Sequence, residues 1–310
     1  MDYFGPANVH FNSSKFPAFK QNTFAFIVQD RVETKKIIID FYDSSEIDPT
    51  TFNWCDVYGK INITPADYHN QKFKNKLVAI GPGFGIKIWN IPKAIFISLY
   101  NFILSYKNLD NYRRFFRNYK AQAERAPIKK YDRGTAEKNY VFMLNSLWKK
   151  EATTNLNRTK FIEICKAIPG VKFEGGFAPR TINDVSGFEN YTTTKRYSIE
   201  DYLEKIKKSS IAFNTPAVLD CLGWKLGEFF ALGKAIVSTP ILRILPESLT
   251  HEENIIILLK DVAESKTIIE NFLIDNEMRM RLEDNSYKYY IKYLSPEKVI
   301  ERLVSQAMEF

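Results

Sequence analysis

SSIAFNTPAVLDCLGWKLGEFFALGKAIVST, residues 209–239, decides how the chain is read. SIAFN (210–214) reads as a strand and 223–232 as a helix. Gly233 follows as its C-terminal stop, and KAIVST (234–239) is a second strand. The helix is apolar nearly all round, the pattern of a buried helix. Yet it carries Lys225 and Glu228, three residues apart and therefore on one face. Charges on a buried helix are costly unless partnered. Either the two pair with each other, or both face a cleft. In a cleft, Lys225 could neutralise phosphate and Glu228 could accept hydrogen bonds from vicinal hydroxyls. The free amides at Leu222, Gly223 and Trp224 would add an anion site at the helix N-terminus.

The pattern repeats outward from this unit. YVFMLNS (140–146), VKFEGGF (171–177) and NIIILL (254–259) read as strands. Helices are expected at 158–168, 198–209, 261–274, 276–292 and 296–308. Alternating strands and helices with short connections predict a parallel sheet wrapped by helices, with ligands beyond the carboxyl ends of its strands. Upstream, strands are expected at 23–29, 35–42, 55–63 and 75–80, and mostly helix over 92–124. The polar stretch 126–139 is the linker candidate. The expected domains are therefore 1–125 and 140–295, with the last helix, 296–310, packing back on the first. A chain of 310 residues suits two such domains.

Charge is uneven. Residues 1–136 hold 20 Lys/Arg and 12 Asp/Glu, whereas 137–310 hold 24 of each, so the whole net charge of +8 belongs to the first half. A basic half suits nucleic acid, an anionic membrane surface or an anionic substrate. No RNP1 pattern or C2H2 spacing favours nucleic acid. The apolar run AIFISLYNFILSY (94–106) leads into the basic YRRFFRNYK (112–120). As a helix the run is too short to cross a bilayer. It is either a buried helix with a solvated basic end or a segment lying on an anionic membrane surface. Three scattered cysteines and three scattered histidines give neither a disulfide framework nor a metal-ligand spacing. MDYFGPANVH lacks the pattern of a signal peptide, so a cytoplasmic protein is expected, peripheral at the inner face of a membrane if the basic run is an anchor.

Residues 209–239 resemble the donor-binding domain of GT-B glycosyltransferases of the group 1 type. Asp220 and Glu228 match the two acids of that family's E-x7-E motif, with Asp in place of the first Glu, and Ala235 stands where a Pro is usual. The resemblance implies two Rossmann-like α/β domains facing a cleft, the first abbreviated. It implies transfer of a sugar from a nucleotide-sugar, UDP- or GDP-linked, to a hydroxyl acceptor. The family's pattern needs no cofactor and no metal. Glu228 would hold the ribose and Asp220 would approach the transferred sugar. Arg158, Lys149 and Arg180 match the basic positions around the diphosphate, together with Lys225 and the Gly223 and Trp224 amides. Arg158, at the start of an expected helix, is disfavoured by the helix dipole, which an anionic partner would offset; otherwise it is a surface residue. An inverting reaction would need a base, for which Asp43 is the candidate. A lipid-linked or glycan acceptor in cell-surface polysaccharide or lipopolysaccharide synthesis is the expected setting. The alternative is a non-catalytic two-domain protein that binds carbohydrate or nucleic acid.

Overall fold

The computed structural model describes residues 13–19, 22–29, 32–109, 111–180, 182, 185–258 and 262–309. The first lobe is built on a four-stranded sheet of β1 (Thr23–Gln29), β2 (Thr34–Asp40), β3 (Val57–Lys60) and β4 (Leu77–Ala79), in that order. β1 runs antiparallel to β2, and the other pairs are parallel. Side chains alternate across the sheet. Ile38, Tyr58 and Leu77 face a cluster with Phe52 of α1 (Pro49–Trp54), while Ile37, Ile39 and Val57 join the main core. Asp48 caps α1 by accepting from Thr51 N at 2.9 Å. Beyond α2 (Pro65–Tyr68), the expected helix at 92–124 is two helices, α3 (Ile91–Ser105) and α4 (Tyr112–Ala123), folded into a hairpin. Asn111 caps α4 through Arg114 N, which starts a new helix rather than continuing the old one.

The second lobe starts with β5 (Tyr140–Asn145), α5 (Ala152–Ala167) and β6 (Lys172–Phe177). α6 (Ile199–Lys208), β7 (Ala212–Asn214), α7 (Trp224–Ala231) and β8 (Ile236–Ser238) follow. β9 (Ile256–Ile257), α8 (Val262–Ile274) and α9 (Asn276–Tyr289) complete it. Two parallel ladders form, β5–β6 and β7–β8–β9. They meet edge to edge at β5 and β7. Ser210 N donates to Tyr140 O at 2.7 Å, and Ser209 Oγ accepts from Phe142 N at 2.8 Å. The spatial order β6-β5-β7-β8-β9 reverses direction between β5 and β7, which is where doubly wound sheets leave a crevice. One face packs on α5 and α8, with Phe161 of α5 stacked on Phe213 of β7 at 3.9 Å. The other face packs on α6, α7 and α9.

The lobes share one core. Ile37, Val57 and Ile80 of the first belong to the same buried cluster as Leu226 and Phe230 of α7. Residues 126–139 take part in it: Ala126 and Tyr131 are buried, and the Tyr131 ring packs on Phe84 with centroids 4.6 Å apart. After α9 a wide turn over Tyr290–Leu294 leads to α10 (Pro296–Met308), capped by Ser295. α10 lies on β2 and β3, and Arg302 donates to Ala79 O at 3.1 Å.

The lobes approach closely at Gly227, on the face of α7 turned toward the Pro82–Phe84 loop. A Cβ there would stand 2.7 Å from Pro82 O, a backbone atom that cannot step aside. In an open helix, Gly→Ala stabilises by roughly 1 kcal/mol. Here overpacking, at about 1–3 kcal/mol, opposes it. Gly227→Ala is therefore expected to lower the unfolding free energy, by on the order of 1 kcal/mol in chemical denaturation. A gain in stability would show that the lobes yield at this point.

Candidate active site

A cavity of about 920 Å³ lies between the lobes, a size that suits a ligand of several rings. The carboxyl ends of β5 (Asn145, Ser146) and β7 (Asn214, Thr215) form its floor, and the N-terminal turn of α7 forms one wall. The first lobe supplies the end of β2 (Phe41, Asp43) and the Gly81–Ile88 segment, and Pro296 and Val299 of α10 close one side. The second-lobe half is polar and cationic, whereas the first-lobe half is largely apolar.

Arg158 is the centre of the polar half. It lies in the second turn of α5, not at a helix start, because that helix begins at Ala152. Only 5% of the residue is exposed. Its Nε donates to Thr215 Oγ1 at 3.0 Å and its Nη1 to Ser146 O at 2.7 Å, so it bridges the ends of β7 and β5. Neither partner is a carboxylate. Burial pulls its pKa down to about 10.

Lys225 and Glu228 are linked through a third residue. The Lys225 ammonium lies 4.1 Å from the Tyr202 ring centroid and donates to the Tyr202 hydroxyl at 3.0 Å. That hydroxyl donates to Glu228 Oε2, also at 3.0 Å. Tyr131 approaches Glu228 Oε1 at 3.5 Å. The lysine therefore reaches the glutamate by relay, and both line the cavity. Burial lowers the Lys225 pKa to about 8; Arg158 pushes the same way and Glu228 opposes. Gly223 starts α7 without a side-chain cap, and Trp224, half exposed in the cavity wall, lies under the Arg125 guanidinium at 4.6 Å. The Trp148 indole N–H, also in the wall, has no hydrogen-bond partner among the described residues.

Asp43 lines the cavity from the first lobe. The Cys221 thiol is pushed up to about 12, by burial first and then by the charge of the Asp43 carboxylate.

Four expected contributors stand outside the cavity lining or are already engaged. Asp220 is exposed and does not line the cavity, although Val218 and Cys221 do; Leu219 and Asp220 both have φ 57°, a left-handed turn that leaves the acid in solvent. Lys149 is exposed in the β5–α5 loop and does not line the cavity. Arg180 lies outside it too, donating to Leu147 O. The Leu222 amide is taken, since it donates to Asn62 Oδ1 at 2.8 Å across the lobes. Tyr202, Tyr131 and Thr215 went unnoticed in the sequence. Tyr202 belongs to the apolar stripe of α6 and carries no sign there that its hydroxyl leaves the core.

No family model matches the chain, and no curated protein matches it. Solved structures with a similar chain arrangement include TarM, at 12% identity over 86% of this chain and 47% of its own, with a TM-score of 0.47. The chain thus spans about half the length of TarM. Sucrose-phosphate synthase from Thermosynechococcus elongatus is 11% identical over 87% of this chain and 67% of its own, with a TM-score of 0.48. Anabaena HepE, solved in complex with UDP-glucose, is 12% identical over 84% and 80%, with a TM-score of 0.40. Likeness at this level does not reach individual residues of the cavity.

The lowered pKa of Lys225 fixes a pH dependence. Below pH ~8 the lysine is charged both folded and unfolded, and its burial counts fully against folding. Between ~8 and its unfolded value near 10.4, the unfolded state binds more protons, so stability rises with pH. Relative to Lys225→Met, the wild type should therefore gain roughly 1–2 kcal/mol from pH 8 to 10.5, after allowance for solvent screening. Urea titrations of both proteins at several pH values measure this, and parallel curves would place the ammonium in bulk water.

Proposed function

We propose that the chain is a glycosyltransferase that moves a sugar from a nucleotide-sugar donor to a hydroxyl acceptor. The observation that carries this reading is Arg158: a guanidinium buried at the reversal of strand order, opening on a cavity, with no carboxylate among its partners. A charge so placed is expensive until an anion meets it. Lys225 brings a second cation to the same cavity, and the uncapped start of α7 contributes N–H dipoles. A diphosphate answers all three.

In the proposed reaction the glycosidic bond to the diphosphate breaks and negative charge grows on the leaving oxygen. Arg158, Lys225 and the Gly223 and Trp224 amides stabilise that charge, in a cavity where the surrounding protein strengthens each interaction. The proposal gives this work to the chain's own cations, with no metal and no cofactor. Glu228, its oxygens now engaged by Tyr202 and Tyr131, is the acceptor for ribose hydroxyls. Asp43 faces the cavity from the first lobe and is the base for an inverting reaction. The donor is UDP- or GDP-linked. The apolar half of the cavity favours an acceptor carried on a lipid over a free glycan. This suits synthesis of a cell-surface polysaccharide or lipopolysaccharide at the inner face of a membrane.

A second reading, a non-catalytic carbohydrate binder, is favoured by one observation. Asp220, which the family resemblance assigns to the transferred sugar, is exposed and does not line the cavity.

UDP and GDP binding followed by calorimetry tests the site. Losing the Arg158 contacts should cost about 1.5–3 kcal/mol, so Arg158→Met is expected to weaken nucleotide binding roughly 10- to 150-fold. Glu228→Ala should weaken it too, and Asp220→Asn should leave it unchanged. Slow release of nucleoside diphosphate from a sugar nucleotide separates enzyme from binder. Failure of every nucleotide to bind would remove the proposal.

A further inference from the structure

α3 is built inside out. Its narrow residues, Ala94, Ser98 and Ser105, are the buried ones. The Ser98 and Ser105 hydroxyls turn back on the helix's own carbonyls, bonding Ile95 O and Asn101 O. Ile95, Phe96, Leu99, Tyr100, Ile103 and Leu104 are all exposed, Phe96 by 68% and Ile103 by 70%. An ordinary surface helix shows the reverse pattern, and a contiguous apolar face of this width marks a place of contact.

The surroundings say what the contact is with. Residues 87–120 hold seven Lys/Arg and one Asp. Phe102 of α3 packs against Tyr112, Phe115 and Phe116, which turns Arg113 and Arg117 of α4 outward, both exposed. The hairpin is held firmly to the lobe. Gln122 accepts from Ile88 N and Trp89 N at 3.0 and 2.9 Å, and Trp89 stacks on Tyr119. Two copies meeting through this face would bring like charges together. An anionic surface would gain both apolar burial and charge pairing. With 15 residues, α3 is about 22 Å long. Among the described residues, no helix is long and apolar enough to cross a membrane.

We infer that the α3–α4 hairpin docks on an anionic phospholipid bilayer, with α3 lying in the interface plane, its large side chains among the acyl chains and the α4 arginines on the headgroups. This stands on the hairpin alone and holds whatever the cavity binds. It also gives the cavity a direction. Ile88, 66% exposed and three residues before α3, lines the cavity as well, so the cavity mouth opens beside the bilayer.

The experiment is sedimentation of the full chain with vesicles of phosphatidylglycerol and phosphatidylcholine, against phosphatidylcholine alone, at low and high salt. The wild type is expected to pellet with the anionic vesicles at low salt. Phe96→Ser/Leu99→Ser/Ile103→Ser and Arg113→Glu/Arg117→Glu should each weaken partitioning at least tenfold while keeping the wild-type circular dichroism and nucleotide binding. Three results would overturn the inference. The wild type stays in the supernatant at low salt; the triple serine variant pellets as well as the wild type; or analytical ultracentrifugation finds a dimer that the triple variant dissolves, making the occupant a second copy.

Discussion

Arg158 holds together a place where the backbone does not. β5 and β7 lie side by side with no ladder along their length, and the strand order reverses between them. The guanidinium crosses that gap with one hydrogen bond to Ser146 O and one to Thr215 Oγ1. The same side chain therefore fixes the floor of the cavity and brings uncompensated positive charge to it. Lys225 is set near this charge from α7; its burial, reinforced by Arg158, is why its proton is held less firmly than that of an exposed lysine. The polar half of the cavity follows from these two cations and the helices that carry them.

The apolar half follows from how the lobes are joined. They do not hang from a flexible connection: Tyr131 plugs the space beside Phe84, and the helix bearing Lys225 and Glu228 touches Pro82 so closely that only glycine fits. Asn62 reaches across to the Leu222 amide just before α7 begins. The entry to that helix is thus positioned by the first lobe, although every residue of the helix belongs to the second. Contacts of this kind favour small adjustments about the cavity over wide separation of the lobes.

The periodic parts of the chain were legible in the sequence. Strands at 140–146, 171–177 and 210–214, and the helix that Gly233 ends, appear where alternation and stop signals set them, because both report burial directly. Lys225 and Glu228 stood out for the same reason, as charges on a helix otherwise suited to a core. What failed depended on backbone direction. The spacing of Asp220 and Glu228 matched a motif, but two consecutive left-handed residues turn Asp220 outward, and neither Leu nor Asp announces that conformation as glycine would. Arg158 was found for a wrong reason, since the helix begins at Ala152, more than a turn before its apolar pattern does. The run at 94–106 could not be assigned to core or surface from hydropathy. The placement of its small residues, rather than its mean polarity, decides which side faces out.

One feature of the fold bears on how the chain is made. The sheet of β1–β4 is assembled from residues before 80, yet one of its faces is covered by α10, and Gly59 leaves room there for Leu303. Until residue 303 has left the ribosome, that face has no permanent cover. A nascent chain thus carries Ile37, Ile39 and Val57 exposed through the synthesis of more than two hundred further residues. At the usual pace of elongation, about 5–20 residues per second, that interval is on the order of ten seconds or more, long enough for chaperone engagement to matter.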